Sequence, residues 1–286
     1  MTEPAPAVRK STWGNWLFRW ARNLLVLYVV IVIVMLFLER SLVYQSQTAA
    51  EQWEEPPDPA IEEVTFPSGD DQIHAWYLPR AGSNEVLLIC HGSGGNLSYR
   101  GKSLLRFREA LGCSVMIFDY PGYGKSTGKP SEEGCYASAE AALKFLAEVK
   151  KVPVERVIIY GESLGGGIAT EIAQRHLMRA LVLLKTFTAL PDVGQRQYRW
   201  LPVKWIMRNR FDSITKIGSV KSPVFVSGAI QDELVPFEMS KQLYDAAPSP
   251  KEFFAISEGG HNERVDDEEF MARLKAFLDA NVSKDK

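Results

Sequence analysis

The residues Tyr160-Gly161-Glu162-Ser163-Leu164-Gly165-Gly166-Gly167 decide the fold of this chain. They contain the pattern G-x-S-x-G, between a predicted strand at 156–159 (RVII) and a stretch with helical periodicity. A serine in such a strand-to-helix turn has a strained backbone, and a side chain at either flanking glycine would collide with the neighbouring strand or helix. The turn lifts the Ser163 hydroxyl above the carboxyl edge of a sheet, where the amides of the helix N-terminus point. The pattern therefore predicts a nucleophilic serine.

On both sides of this turn, short apolar runs alternate with longer amphipathic stretches. Such alternation is typical of a mostly parallel sheet covered by helices on both faces. The first two runs, separated by residues 67–71 (PSGDD), predict an antiparallel hairpin that leads into the sheet. The predicted strands span residues 61–66, 73–78, 86–90, 115–119, 157–160, 180–184, 224–227 and 253–256, and the predicted helices span residues 97–111, 132–150, 165–176, 239–247 and 263–278.

A serine nucleophile needs a histidine base within hydrogen-bond reach and an acid that orients this base. With this kind of turn, the chain order is serine, acid, histidine. Two of the four histidines, His74 and His91, precede Ser163. His176 follows Ser163 by about one helix length, and we expect it on a buried helix face. His261, in the loop after the last strand, is therefore the predicted base, and a surface-loop histidine is the alternative interpretation.

The predicted acid is Asp232, which follows the strand 224–227. Its place between the serine and the histidine matches the expected chain order. Asp192 and Asp212 lie in a segment rich in arginine and tryptophan that has the composition of an insertion. Glu233 is the neighbouring alternative.

The run Cys90-His91-Gly92-Ser93-Gly94-Gly95-Asn96 follows an early strand. Acyl transfer develops an oxyanion, which preorganised amide donors stabilise by roughly 3–4 kcal/mol each. The small residues of this run let the backbone approach a ligand closely. We assign the two oxyanion amides to Ser93 and Leu164, and we predict that His91 orients the loop.

Residues 122–127 contain the Gly-Lys-Ser of a phosphate-binding loop, which raises the alternative of a nucleotide site. The pattern requires glycine where Asp119 stands, and Pro121 removes an amide from the phosphate cradle. Residues 127–130 (TGKP) cannot begin the required helix. We therefore expect no nucleotide.

The 286 residues include 33 basic and 35 acidic side chains, for a net charge of −2. This near-neutral balance argues against a nucleic-acid-binding protein, which needs an excess of Lys and Arg on one face. Cys90, Cys113 and Cys135 lack the spacing of a zinc or redox motif, so we expect them to be buried apolar residues. We expect no metal and no organic cofactor.

Residues 23–38 (NLLVLYVVIVIVMLFL) contain no charged residue. The apolar part, 24–38, makes about 22 Å of helix, which is shorter than the roughly 30 Å hydrocarbon core. If Arg19 and Arg22 reach back to the headgroups, the span extends to residues 16–38. A buried core helix and a cleavable signal peptide are the alternatives.

The charges around this segment predict an orientation. Four basic residues, Arg9, Lys10, Arg19 and Arg22, precede the apolar run, and only Arg40 follows closely. The positive-inside rule places the N-terminus in the cytoplasm and the catalytic domain outside it. The expected organisation is a cytoplasmic segment 1–15, a transmembrane helix 16–38, a linker or strap 39–60, and a catalytic domain 61–286, in which residues 188–219 form a small cap over an acyl pocket or a helix packed on the sheet.

Five loop motifs stand out: HGSGGN at 91–96, FDYPGYGKSTGKPSEEG at 118–134, YGESLGGGIA at 160–169, QDELVPF at 231–237 and GGHNE at 259–263. They resemble those of the alpha/beta-hydrolase-domain proteins, in the membrane-anchored branch that is related to protein depalmitoylases and lipid hydrolases. The likeness covers residues 39–280 in order and implies an α/β-hydrolase fold. Two stretches depart from the family: residues 184–188 (LKTFT) replace a more usual Glu-Ser-Pro-Phe, and Ser227-Gly228 replaces a common His-Gly.

Together these patterns predict a membrane-anchored serine hydrolase that cleaves an amphipathic ester or thioester through an acyl-enzyme. Two alternatives remain open. The chain is a catalytically silent anchor or scaffold with a hydrolase fold, since a fold does not establish an activity. Or it hydrolyses small soluble esters or peptides.

Overall fold

The computed structural model describes residues 12–263 and 268–281. The chain divides into two compact units, Met1–Glu39 and Arg40–Lys286. Helix α1 (Thr12–Val43) begins in the first unit. Its stretch Trp16–Val43 is long and apolar enough to cross a membrane. A signal sequence near the N-terminus can meet the same criteria of length and composition. Arg9 and Lys10, on which the predicted orientation partly depends, lie outside the described residues.

The second unit is built on an eight-stranded sheet. Most strands are continuous apolar runs, because both faces of a parallel sheet are covered. The strands are β1 (Glu62–Ser68), β2 (Asp71–Leu78), β3 (Val86–Cys90), β4 (Ser114–Phe118), β5 (Val157–Glu162), β6 (Ala180–Leu184), β7 (Val224–Ala229) and β8 (Lys251–Ile256).

The strand order in the sheet is β8-β7-β6-β5-β3-β4-β2-β1. The predicted hairpin is present as antiparallel β1 and β2, and β2 also pairs antiparallel with β4. The other neighbours are parallel. The carboxyl ends of β3, β5, β6, β7 and β8 therefore meet at one edge of the sheet, and the predicted site residues follow these strands.

Seven helices follow α1 in the described part of the chain. The predicted helix 97–111 is divided, because the Asn96 side chain caps a separate 3₁₀ turn at Leu97–Arg100 before α2 begins. Residues 264–267 of the predicted last helix lie outside the described residues. The helices are α2 (Gly101–Leu111), α3 (Glu132–Glu148), α4 (Leu164–Arg175), α5 (Leu190–Gln197), α6 (Val203–Ile206), α7 (Phe237–Ala246) and α8 (Glu268–Ala280).

The core lies in two layers, one on each face of the sheet. Successive strand residues alternate between the layers, as Ile158 and Ile159 of β5 do. One layer contains α3, α4 and α7, and the other contains α2 and α8. The three cysteines are free and buried, as predicted. A mostly parallel sheet flanked by helices confirms the predicted fold class.

Residues 44–60 form an extended strap along the second unit. Gln45–Ser46 pairs in parallel with Gly94–Gly95 of the glycine-rich loop. Trp53 packs edge-to-face against His74 and Trp76, at centroid distances of 5.4 and 5.6 Å. The strap therefore contacts the loop that carries Ser93.

Candidate active site

Ser163 occupies the turn between β5 and α4. Its φ of 52° and ψ of −116° lie outside the regions that side-chain-bearing residues favour. The Ser163 backbone N–H donates to the Leu184 carbonyl at 3.0 Å, and the Ser163 carbonyl accepts from the Thr186 hydroxyl at 2.7 Å. The predicted strained turn is present, and the neighbouring strand β6 holds it in place.

Two glycines make this turn sterically possible. A Cβ on Gly161 would lie 2.4 Å from the Gly165 carbonyl oxygen. A Cβ on Gly165 would lie 1.9 Å from the Cys90 carbonyl oxygen. Both obstacles are backbone atoms, which cannot rotate away. The predicted collision at the flanking glycines is therefore confirmed.

Ser163, His261 and Asp232 form one chain of hydrogen bonds. His261 Nε2 lies 2.9 Å from Ser163 Oγ, and His261 Nδ1 lies 2.7 Å from Asp232 Oδ2. The other oxygen of Asp232 accepts the backbone N–H groups of Leu234 and Val235, at 3.0 and 2.7 Å. The carboxylate is thereby fixed, and it selects the tautomer in which Nδ1 carries a proton and Nε2 accepts one from the serine.

The alternative acids lie elsewhere. Asp192 pairs with Lys204 at 2.5 Å, Asp212 accepts from Thr215 through its backbone carbonyl, and Glu233 is exposed. Of these four carboxylates, all within the described part of the chain, Asp232 alone contacts the imidazole of His261.

The other histidines do not join this chain of hydrogen bonds. His91 is fully buried, its Nδ1 lies 2.7 Å from the Gly92 carbonyl, and its ring stacks on Tyr120 at 4.3 Å. Burial lowers the pKa of His91. These contacts suit the predicted loop-orienting role. The expectation for His176 is wrong, because this residue follows the last turn of α4 and its half-exposed ring pairs with Glu140 at 2.8 Å.

The Gly-Lys-Ser run has structural contacts. Lys125 pairs with Glu63 at 2.6 Å and lies over the Trp53 ring at 4.3 Å. The Ser126 hydroxyl accepts the His74 backbone N–H and donates to a backbone carbonyl. These contacts occupy the side chains that a phosphate site would use.

The predicted oxyanion residues border the serine. Ser93 and Leu164 line the same cavity as Ser163. Leu164 is the first residue of α4, so its N–H has no acceptor within the helix. The Tyr123 hydroxyl donates to the Ser93 carbonyl at 3.0 Å and fixes the loop.

The cavity has a volume of about 210 Å³. Much of its wall comes from the segment that contains α5 and α6, as a cap would provide. The tryptophans of this segment do not contribute, because Trp200 and Trp205 are 56% and 89% exposed. Phe211 is fully buried and packs against Tyr44 and Tyr136. The lining residues of this segment are Leu190, Val193, Gly194, Gln197, Tyr198 and Met207, and Phe187 lines the cavity from just before it.

Sequence reasoning missed Lys185 as part of the site. This residue follows β6 and is 1% exposed, and its ammonium donates to backbone carbonyls of the loop that carries His261. The available signal was a lysine directly after the apolar run 180–184, within a stretch that departs from the usual family pattern.

Comparison with known proteins shows the family. The family model of the alpha/beta hydrolase fold matches residues 85–216 of this chain. An uncharacterized protein of Mycobacterium tuberculosis is 36% identical over 225 residues, which are 77% of this chain and 80% of that protein. The alpha/beta hydrolase domain-containing protein aho-3 of Caenorhabditis elegans is 32% identical over 205 residues. This chain belongs to the alpha/beta hydrolases.

Solved structures of other proteins have the same fold as this hydrolase. An esterase of Pyrococcus furiosus superposes with a TM-score of 0.64 at 20% identity, covering 77% of this chain and 90% of the esterase. The alignment with aho-3 covers 72% of this chain and only 60% of the worm protein. The comparisons therefore establish the family and the fold, whereas substrate and partners belong to the proposals below.

Proposed function

We propose that this hydrolase cleaves ester or thioester bonds through an acyl-enzyme on Ser163. The observation that carries the proposal is the chain of hydrogen bonds from Asp232 through His261 to Ser163, at 2.7 and 2.9 Å. This geometry supports the proposed roles, in which Ser163 is the nucleophile, His261 the base and then the acid, and Asp232 the group that holds the imidazole tautomer.

The reaction proceeds in two halves. Ser163 Oγ bonds to the acyl carbon while its proton moves to His261 Nε2, and the leaving alcohol or thiol then takes that proton as its bond to the acyl carbon breaks. Water then attacks the acyl carbon while one of its protons moves to His261 Nε2; the bond to Ser163 Oγ breaks, the serine takes that proton, and the carboxylic acid leaves. The N–H groups of Ser93 and Leu164 stabilise the oxyanion in both halves. No metal or organic cofactor is needed for these steps.

The proposed substrate carries an apolar acyl chain. Support comes from the cavity beside Ser163, whose wall includes Phe187, Leu190, Val193 and Met207. Apolar walls with a few polar groups suit a substrate with a hydrocarbon part and one reactive bond. The substrate class is therefore an amphipathic acyl ester or thioester.

A series of acyl esters and thioesters of increasing chain length tests this proposal, with Ser163→Ala as the control. We expect faster turnover of longer acyl chains than of acetyl esters. Ser163→Ala should lower kcat on the order of 10⁶-fold, because nucleophile and base act as a unit.

The alternatives give different results in the same series. A preference for short soluble esters or peptides would favour the small-substrate alternative. Absence of turnover in both proteins would favour the catalytically silent scaffold. Activity of Ser163→Ala within tenfold of the wild type would end the serine mechanism.

We also propose that the chain is anchored in a membrane by α1, with its N-terminus cytoplasmic and its catalytic domain extracytoplasmic. Support comes from the apolar side chains between Trp16 and Leu38, most of which are exposed, and from Arg19 and Arg22 near the start of the stretch. Such an anchor holds the enzyme near amphipathic substrates and raises its effective concentration toward them. A reporter fused after Lys286 should be extracytoplasmic. A cytoplasmic reporter, or a mature N-terminus near Glu51 as cleavage of a signal peptide would leave, would contradict the proposal.

A further inference from the structure

Lys185 is a buried lysine directly behind the candidate active site. Its residue exposure is 1%, it follows the last residue of β6, and its φ is 47°. Lysine is almost never fully buried unless its ammonium is paired. The burial therefore calls for a specific set of acceptors.

Those acceptors belong to one loop. Lys185 Nζ donates to the carbonyl oxygens of Gly260, His261 and Glu263, at 2.9, 3.1 and 2.5 Å. An ammonium has three N–H donors, so the group is saturated by these contacts. Hydrogen bonds from a charged donor are roughly twice as strong as neutral ones. One side chain thus binds three backbone groups within four consecutive residues.

The electrostatic surroundings suit a charged lysine despite its burial. Burial lowers the pKa of Lys185, whereas the carboxylates of Glu162, Asp232 and Glu263 act in the opposite direction. These groups belong to three separate elements: the end of β5, the turn after β7 and the histidine loop itself. The ammonium therefore lies where the elements of the site converge.

Within the described residues, the loop's other hydrogen bonds join the His261 side chain to Asp232 and Ser163 and the Gln231 side chain to the Ser257 carbonyl. Residues 257–263 are half-buried or exposed, and they include the adjacent glycines Gly259 and Gly260. Gly259 has a φ of 88°. Glycine allows this conformation and many others, so contacts from outside the loop must hold the loop backbone in one conformation.

We propose that Lys185 is a positioning residue that holds the backbone of the His261 loop, so that the imidazole stays within reach of Ser163. This inference rests on the proposed serine mechanism for its effect on rate, and on geometry alone for its effect on the loop. Lys185 does not line the described cavity beside Ser163, so its removal acts through His261 and leaves substrate contacts in place.

The test compares Lys185→Met, which removes all three donors, with Lys185→Arg, which keeps the charge and the donors. Lys251→Met is the matched control, because Lys251 Nζ also donates to two backbone carbonyls, those of Tyr244 and Asp245. Each full-length protein is assayed for kcat, KM and the rate of labelling by a fluorophosphonate. Hydrogen exchange of residues 257–263 is measured in parallel.

We expect Lys185→Met to lower kcat and the labelling rate by about 10²-fold, the scale of a misplacement of about 1 Å, with KM changed less than twofold. Exchange at 257–263 should become faster, and exchange at 157–167 should not change. Lys185→Arg should recover part of the rate, and Lys251→Met should match the wild type. If Lys185→Met does not fold, Lys185→Gln takes its place, because it keeps an amide donor but loses the charge.

A folded Lys185→Met protein with wild-type labelling and wild-type exchange at 257–263 would overturn the proposal. A loss of rate in Lys251→Met equal to the loss in Lys185→Met would also overturn the proposal. A wild-type protein that neither labels nor turns over substrate would refute the proposed function. Faster loop exchange in Lys185→Met would in that case still support the positioning role.

Discussion

The two sides of the Ser163–His261 hydrogen bond are built differently. The serine turn is fixed locally, since the atoms that exclude a side chain at Gly161 or Gly165 belong to backbone within the turn or to the neighbouring β3. The histidine loop is fixed from a distance, by the carboxylate of Asp232 and the ammonium of Lys185. A site of this kind combines a rigid turn that a short motif encodes with a loop that depends on side chains far away in the sequence.

The difference has an energetic side. At the turn, an added side chain collides with backbone atoms, so a substitution there lowers the free energy of unfolding. At the loop, a substitution of Asp232 or Lys185 removes hydrogen bonds that hold the loop against the domain. The position of the His261 imidazole then changes, whereas the domain stays folded. Damage to the turn should therefore appear in unfolding, and damage to the loop should appear in rate.

Among the variants that separate the turn from the loop, the largest effect is expected at Asp232, whose carboxylate binds the His261 imidazole. Asp232→Asn should keep the shape of the site but favour the wrong tautomer of His261, and it should lower kcat by about 10⁴-fold. Thermal unfolding should change little. Steady-state kinetics with Asp192→Asn and Asp212→Asn as controls measure the effect, and a greater loss in either control would show that the acid is wrongly assigned.

At the turn, a smaller effect is expected, and it should appear in stability rather than in rate. Gly165→Ala places a Cβ 1.9 Å from the Cys90 carbonyl oxygen and should destabilise the fold by about 2 kcal/mol, which corresponds to roughly 4–8 °C in Tm. Thermal unfolding measures this change. The matched control is Gly218→Ala, where the added Cβ meets the Ala246 carbonyl oxygen at an ordinary 3.6 Å. Equal Tm values for the two variants would contradict the account of the turn.

The same contrast explains what the sequence could predict. Ser163 and its flanking glycines form a contiguous motif between a strand and a helix, so both the fold and the nucleophile follow from it. Asp232 and His261 were predicted from chain order and from their places after strands. Lys185 has no such motif, because its acceptors are carbonyl groups that follow it by 75 to 78 positions.

Errors of the sequence analysis also have a physical cause. Helical spacing placed His176 on a buried face, but it follows the end of α4, where the chain is already extended. The sequence left the segment 188–219 open between a cap over an acyl pocket and a helix packed on the sheet. Its aromatic side chains point in different directions, with Trp205 in solvent and Phe211 in the core, because composition does not specify which way an irregular segment turns its side chains.

The most direct test of the central claim is to locate the covalent adduct of a fluorophosphonate by mass spectrometry of the digested full-length protein. We predict a single adduct on the peptide that contains Ser163, its loss in Ser163→Ala, and slow formation in Asp232→Asn. An adduct on another residue, or wild-type esterase activity in a protein whose Ser163 remains unmodified by the inhibitor, would contradict the claim.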